Sequence, residues 1–190
     1  MCCSGCVAVD LDRDSSYAHW CLGEIQHYRR KYSEARSQLQ EALRLNPNDV
    51  DALSMYGYFL ACMGDHDKSL AQLERASRLD PYESYMHPWL SGAACYLAGR
   101  YEEAVQHLNR ISDPLPEVYA WLAAAHGQLG QVEEAQRQAA RFLAAAEAEM
   151  AVFPGRRLED WEGYCRDIGC GPAGTADHFL EGLRAAWPGD

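Results

Sequence analysis

Apolar side chains recur at steps of three and four residues along most of the chain. In the segment SYAHWCLGEIQHYRR these positions are Tyr17, Trp20, Cys21, Ile25 and Tyr28. A second apolar stripe runs from Tyr32 to Leu45 in the segment KYSEARSQLQEALRL that follows. This period belongs to one face of an α-helix, whereas a half-buried strand would alternate apolar and polar residues. The pattern therefore predicts a pair of helices joined by a short turn.

The predicted helix pair repeats along the chain at steps of 31 to 35 residues. A column of small residues falls on the first helices, at Gly23, Gly57, Gly92 and Ala123. A second such column falls on the second helices, at Ala35, Ser69, Ala104 and Ala135. Because small side chains let two helix backbones approach closely, the two columns predict where the helices of a pair cross.

The turns and the helix ends carry residues that suit them. Glycines occupy three of the turns, at Gly64, Gly99 and Gly130. Glycine adopts a positive φ without steric cost and so ends a helix cheaply. Prolines follow the second helices, at Pro47, Pro81 and Pro114. Since proline cannot continue a helix, the stretch NRISDPLPE predicts an early end for the second helix of the third pair.

The segment LGEIQHYRRKYSEARSQLQEALRLNPND resembles the tetratricopeptide repeat, a helix-turn-helix unit of 34 residues. The residues that carry the resemblance are Leu22, Gly23, Tyr32, Ala35, Ala42 and Pro47. Because one such pair cannot bury its apolar stripes alone, the resemblance implies an all-α, right-handed helical solenoid of stacked pairs. Four repeats are predicted, over residues 16–49, 50–83, 84–115 and 116–143.

The two ends of the chain depart from the repeat. Residues 144–190 contain two further helical stripes, in RRLEDWEGYCRDI and HFLEGLRAAW, which are predicted to form capping helices over the last pair. Residues 1–15 are similar to the tail of an earlier repeat and are predicted to be a partial upstream repeat or an N-terminal cap. An apolar flank at Val7, Val9 and Leu11 would then offer a surface for a homodimer.

A looser resemblance covers residues 7–187. The stretch EVYAWLAAAHGQLGQVEEAQRQAARFL, followed by DHFLEGLRAA, is similar to the repeat region that trails some bacterial class III adenylate or guanylate cyclase-like proteins. In those proteins a catalytic or DNA-binding domain lies upstream. This second resemblance implies an alternative function, as the regulatory, sensing or dimerisation segment of a larger signalling protein.

Composition narrows the classes of partner. The 28 acidic and 17 basic residues give a net charge of −11, which repels nucleic acid and anionic membrane surfaces. Because the sequence has neither a membrane-spanning apolar run nor a signal-peptide core, a cytoplasmic location is expected. The eight cysteines are then expected to be free thiols. Cys2, Cys3 and Cys6 have no second pair or nearby histidine, so no metal site is predicted.

The sequence predicts neither an enzyme nor a cofactor site. It contains no nucleophile elbow, no Walker loop and no His-Glu-x-x-His motif. His27 and His126 fall on first helices, where they are expected to be partly exposed stripe residues rather than ligands or bases.

The tetratricopeptide resemblance implies that the first helices line a concave wall that binds other proteins. The predicted peptide-binding residues on this wall are Tyr17, Trp20, Glu24, His27, Tyr28, Asp51, Met55, Tyr58, Trp89, Tyr96 and Trp121. The wall contains no Lys, Arg or Asn, which argues against binding a terminal carboxylate. Its aromatic and acidic side chains instead predict a non-catalytic interaction module for an apolar or amphipathic protein segment with some positive charge.

Overall fold

The structure, a computed structural model, describes residues 12–81, 86–149, 154–168 and 171–187 and contains only helices within those ranges. The helices are α1 (Ser16–Tyr28), α2 (Tyr32–Leu45), α3 (Val50–Cys62), α4 (His66–Leu79), α5 (Met86–Leu97), α6 (Tyr101–Leu108), α7 (Pro116–Gln128), α8 (Val132–Glu149), α9 (Leu158–Ile168) and α10 (Ala173–Ala186). The predicted all-α fold class is confirmed. The chain divides into two compact units, residues 1–91 and 92–190, called here the N-terminal and C-terminal units.

Side-chain caps fix where the first helices of the N-terminal unit begin. The Ser15 side chain accepts a hydrogen bond from the Ala18 amide at 3.2 Å, and Asp49 does the same for Ala52 at 3.1 Å. Caps of this kind stabilise a helix by about 1 kcal/mol. Asp49 also accepts a hydrogen bond from the Ser16 hydroxyl at 2.7 Å, so one carboxylate joins the starts of α1 and α3.

The small-residue columns lie where the helices of a pair come closest. A methyl group added to Gly57 would lie 2.7 Å from Cγ of Leu73 and 3.2 Å from the Ser69 carbonyl oxygen. Gly23 has the same relation to Leu39, and Gly92 to Leu108. Both separations are below ordinary van der Waals contact, so only glycine fits without a shift of the partner helix.

The turns within the pairs use the left-handed backbone conformation. Gly64, Gly99 and Gly130 have φ of 81°, 74° and 69°. The first pair places Arg30 in this conformation instead, with φ of 59°. A residue with a Cβ pays about 1 to 2 kcal/mol for that geometry, so the first turn is the most strained of the four.

Two departures from the regular repeat occur in the C-terminal unit. Helix α6 has 8 residues and α2 has 14, which confirms the predicted early end of the third pair's second helix. Helix α7 then begins with Pro116 in its first turn, where a missing amide hydrogen is harmless. Helix α8 runs on to Glu149, beyond the repeat boundary expected at residue 143.

The predicted partial repeat over residues 1–15 lies almost entirely outside the described residues, which begin at 12. The N-terminal cysteines at positions 2, 3 and 6 lie outside them as well. Four cysteines in the described ranges are free thiols, at positions 21, 62, 95 and 165.

Candidate functional site

The structure places the eleven predicted binding residues in three environments. Six have buried side chains, namely Trp20, His27, Met55, Tyr58, Tyr96 and Trp121. Three are partly buried, namely Glu24, Asp51 and Trp89. Tyr17 and Tyr28 are exposed, with 67% and 47% of their surface accessible. Surface contact in this conformation is therefore confined to five of the eleven residues, all in the N-terminal unit.

His27 is fully buried, so the partly exposed position expected for it is wrong. Four aromatic rings surround the imidazole at centroid distances of 5.7 to 6.0 Å, namely Tyr28, Tyr32, Tyr58 and Phe59. Neither ring nitrogen has a hydrogen-bond partner among the described residues. Burial lowers the pKa of His27 to about 4, because desolvation disfavours the charged imidazolium. His27 therefore serves as a neutral core side chain near pH 7.

The exposure expected for His126 is wrong too. It is 8% exposed, and its Nδ1 shares a hydrogen bond with the Gln131 side chain at 2.6 Å. First helices are covered by neighbouring helices on more sides than a single apolar stripe suggests, which explains both errors.

An accessible row of side chains, the α1 stripe, consists of Tyr17, Cys21, Glu24 and Tyr28. Its spacing of four, three and four residues places all four side chains on one face of α1. The Tyr17 hydroxyl lies near the Cys21 thiol. Cys21, and more weakly burial and the carboxylates of Asp51 and Glu24, raise the pKa of the Tyr17 hydroxyl. Asp51, at the start of α3, thus lies beside this stripe.

Glu24 and Asp51 are carboxylates without a counter-charge. Among the described residues, neither forms a hydrogen bond or an ion pair. Burial raises the pKa of Glu24. Burial, followed by the nearby Asp49 and Asp80 carboxylates, raises the pKa of Asp51. Burial thus disfavours the ionised form of both carboxylates, a cost that a nearby cation would offset.

Acidic residues on the second helices of the same unit contrast with this pair. Glu41 is paired with Arg44, and Glu74 with Arg78, at 2.7 and 2.6 Å. The second helices thus carry their own cations, whereas Glu24 and Asp51 have none within the part of the chain that the structure describes.

Trp89, on α5, borders the same unit's first helices. Its ring stacks on Tyr58 with centroids 6.5 Å apart. Two residues earlier, the Nδ1 atom of His87 lies 2.9 Å from the Ser54 hydroxyl, a hydrogen bond that ties α5 to α3. The partly accessible indole is therefore held in place from two sides.

In the C-terminal unit, helix α10 covers the predicted binding residues. The Tyr96 hydroxyl donates to the backbone carbonyl of His178 at 2.9 Å. The rings of Trp121 and Phe179 lie 4.3 Å apart. A methyl group added to Gly182 would lie 2.7 Å from the Ala124 carbonyl oxygen, and one on Gly127 would clash with the Gly182 carbonyl. Two helix backbones are thus in direct contact at small residues.

The sequence did not predict that α10 would cover part of the wall formed by the first helices. Each helix carries a small residue at the contact, Gly127 in AHGQ and Gly182 in LEGL. The sequence does not show that these two glycines meet, because it does not show where α10 lies after α9.

Two further properties concern metals and membranes. In the parts of the chain that the structure describes, no group of three or more His, Cys, Asp or Glu side chains is arranged to hold a metal ion. No helix in the same parts is both long enough and apolar enough to cross a membrane.

Family models of the tetratricopeptide repeat match residues 16–49, 39–71 and 62–117. Together these matches extend over more than half of the chain. Cellulose synthase operon protein C of Komagataeibacter xylinus is 32% identical over 125 residues, an alignment covering 55% of this chain and 10% of that protein. This chain therefore spans a small fraction of that relative.

Two solved structures show the same fold. PilW, a type IV pilus biogenesis factor, superposes with a TM-score of 0.66 at 21% identity, covering 96% of this chain and 82% of PilW. YrrB, described as a tetratricopeptide protein with an unusual peptide-binding site, superposes with a TM-score of 0.54 at 14% identity, covering 96% and 90%.

Proposed function

Because the chain belongs to the tetratricopeptide repeat family, we propose that it is a non-catalytic module that binds a segment of another protein. The proposed surface consists of the α1 stripe, the adjoining Asp51, and Trp89, which packs on Tyr58 of α3. The observation that carries the proposal is the pair of partly buried carboxylates, Glu24 and Asp51, that no described cation neutralises.

Charge and shape together define the partner. A lysine or arginine of a bound segment would compensate the two carboxylates and recover the cost of their desolvation. Tyr17 and Tyr28 flank the carboxylate and offer large rigid rings, a side-chain type that anchors many protein interfaces. The partner is therefore an amphipathic segment with at least one basic residue. YrrB supports the assignment to the extent that its fold carries a peptide-binding site.

The experiment selects peptides from a random library on the full chain and measures their affinity for two charge-reversal variants. The test variant carries Glu24→Lys and Asp51→Lys. The control carries Glu102→Lys and Glu133→Lys, which changes the net charge equally at first-turn positions of α6 and α8.

Selected peptides are expected to contain Lys or Arg among apolar residues. We expect them to lose at least about tenfold in affinity for the test variant, since buried or half-buried charge pairs are worth more than rim charges. The control variant should bind as the natural sequence does. Equal affinities for the two variants would overturn the proposal.

A further inference from the structure

The α1 stripe has a counterpart in the C-terminal unit at the same register of the repeat. Helix α1 spans Ser16–Tyr28, and α7 spans Pro116–Gln128. A shift of 100 residues therefore relates the α1 stripe to the α7 stripe, which consists of Glu117, Trp121, Ala124 and Gln128.

Helices α9 and α10 contact three of the four residues of the α7 stripe. Glu117 accepts a hydrogen bond from the Tyr164 hydroxyl of α9 at 2.8 Å. Trp121 packs on Phe179 of α10, and the Ala124 backbone meets Gly182 of the same helix. The face of a first helix in this chain thus accepts helices laid against its stripe.

From this equivalence we infer that the α1 stripe docks an α-helix of a partner protein, with apolar side chains facing Tyr17 and Tyr28 and a basic side chain facing Glu24 and Asp51. The inference rests on the proposed function and specifies the conformation of the bound segment. A spacing of four, three and four residues matches the seam of two packed helices, where apolar residues repeat at the same steps.

The α1 stripe differs from the α7 stripe in the size of its side chains. Glu24 stands at the register of Ala124. The partner helix therefore cannot approach the α1 backbone as α10 approaches α7. It packs at the ordinary helix-to-helix distance of about 8 to 10 Å, with side chains between the two axes.

The acidic charge of this chain favours a different protein over a second copy of the chain as the partner of the α1 stripe. Two copies paired through the α1 stripe would bring Glu24 and Asp51 of one copy near the same residues of the other. With a net charge of −11 on each copy and no described cation paired with Glu24 or Asp51, such pairing is unfavourable. A basic helix removes this repulsion.

The test uses a synthetic peptide of three heptads with leucine at the two seam positions and lysine at the flanking ones. Two comparison peptides accompany it: a scrambled isomer of equal charge, and a version with a central proline that prevents a continuous helix. Affinity for the full chain is measured by fluorescence anisotropy, and peptide helicity by circular dichroism.

The heptad peptide is expected to gain helicity on binding and to bind at least about tenfold tighter than both comparison peptides. Tyr17→Ala combined with Tyr28→Ala should weaken it at least about tenfold. The matched control, Leu79→Ala combined with Val132→Ala, removes two exposed apolar side chains elsewhere and should leave binding unchanged.

Equal binding of the proline-containing and heptad peptides to the same residues would overturn the helical conformation and leave the proposed function intact. Equal binding to the tyrosine and control variants would overturn the α1 stripe as the docking surface. The proposed function itself fails separately, through library peptides that are insensitive to Glu24→Lys and Asp51→Lys.

Discussion

Helices α1 and α7 occupy the same position in the repeat but have different surroundings. Helices α9 and α10 lie against the α7 stripe, in which Trp121 and Ala124 are buried, and its one carboxylate, Glu117, accepts a hydrogen bond from Tyr164. The α1 stripe stays partly accessible, and Glu24 and Asp51, both near Tyr17, form no ion pair among the described residues. Helices at the same position of the repeat thus differ in whether other helices of the chain lie against them: α7 is contacted on this face and α1 is accessible there.

Side-chain size and charge account for the difference. Ala124 and Gly127 leave the α7 backbone bare, so α10 can lie directly on it through Gly182. Glu24 at the register of Ala124 excludes such close contact on α1, and a carboxylate there favours a charged partner over an apolar helix. Local residue choice decides which face binds internally and which remains accessible.

The largest effect on stability is expected from a larger side chain at the contact between α10 and α7. Gly182→Leu would force a side chain into the backbone of α7, and we expect it to lower the free energy of unfolding by at least about 3 kcal/mol. Gly174→Ala in the same helix is the control, because no atom lies within 4 Å of the added methyl group. Urea unfolding measures both. A loss below about 1 kcal/mol for Gly182→Leu would contradict the close backbone contact.

The next effect concerns His27, which stands at the register of Gly127. Its folded-state pKa of about 4 lies below the ordinary value of 6.5, so the unfolded chain binds a proton first as the pH falls. The neutral imidazole therefore contributes stability that is complete above pH 6.5 and lost as the pH falls through about 4. The loss amounts to roughly 3 kcal/mol.

Replacing His27 by leucine should remove that component of the pH dependence. Unfolding free energies of the natural and His27→Leu chains, measured from pH 7 to pH 4, are subtracted so that carboxylates common to both cancel. A difference that does not vary with pH would show that His27 titrates normally in the folded protein.

A smaller effect is expected from the polar attachment of α10. Tyr96→Phe removes the hydrogen bond to the His178 carbonyl and should cost about 1 kcal/mol. Tyr119→Phe is the matched control, because the Tyr119 ring contacts Arg141 and its hydroxyl has no hydrogen bond among the described residues. Equal stability of the two variants in urea unfolding would mean that this hydrogen bond does not stabilise the attachment of α10.

The smallest effect on stability is expected from removing the charges of Glu24 and Asp51. Glu24→Gln and Asp51→Asn remove partly desolvated charges, so each is expected to raise stability at pH 7 by less than about 1 kcal/mol. Because the folded-state pKa values are raised, this gain should shrink as the pH falls and the natural carboxylates become protonated.

Glu74→Gln, which breaks an ion pair with Arg78, is the control and should not raise stability. A stability loss for Glu24→Gln at pH 7 would indicate that this carboxylate has a favourable partner in the folded chain.

The sequence was sufficient to predict the repeat, but it did not predict which neighbouring helices cover each helix. Periodicity and the columns of small residues predicted the helix pairs, the contact of Gly57 with the second helix, and the glycine turns. The left-handed conformation of Arg30 was missed, because arginine gives no local signal for a positive φ.

For the candidate site, helical register identified the first helices but could not separate lining side chains from buried ones. Tyr58 and Trp121 have the same aromatic character as Tyr17, yet both are buried by packing with Trp89 and Phe179, residues distant in sequence. The cytoplasmic location, the homodimer through residues 1–15 and the cyclase-like regulatory role stay predictions.

The Asp49 side chain links the first two repeats by hydrogen bonds. Its carboxylate receives the Ala52 amide of its own helix and the Ser16 hydroxyl of the helix one repeat earlier. The N-termini of α1 and α3 are therefore linked by one carboxylate in addition to the packing of their helices.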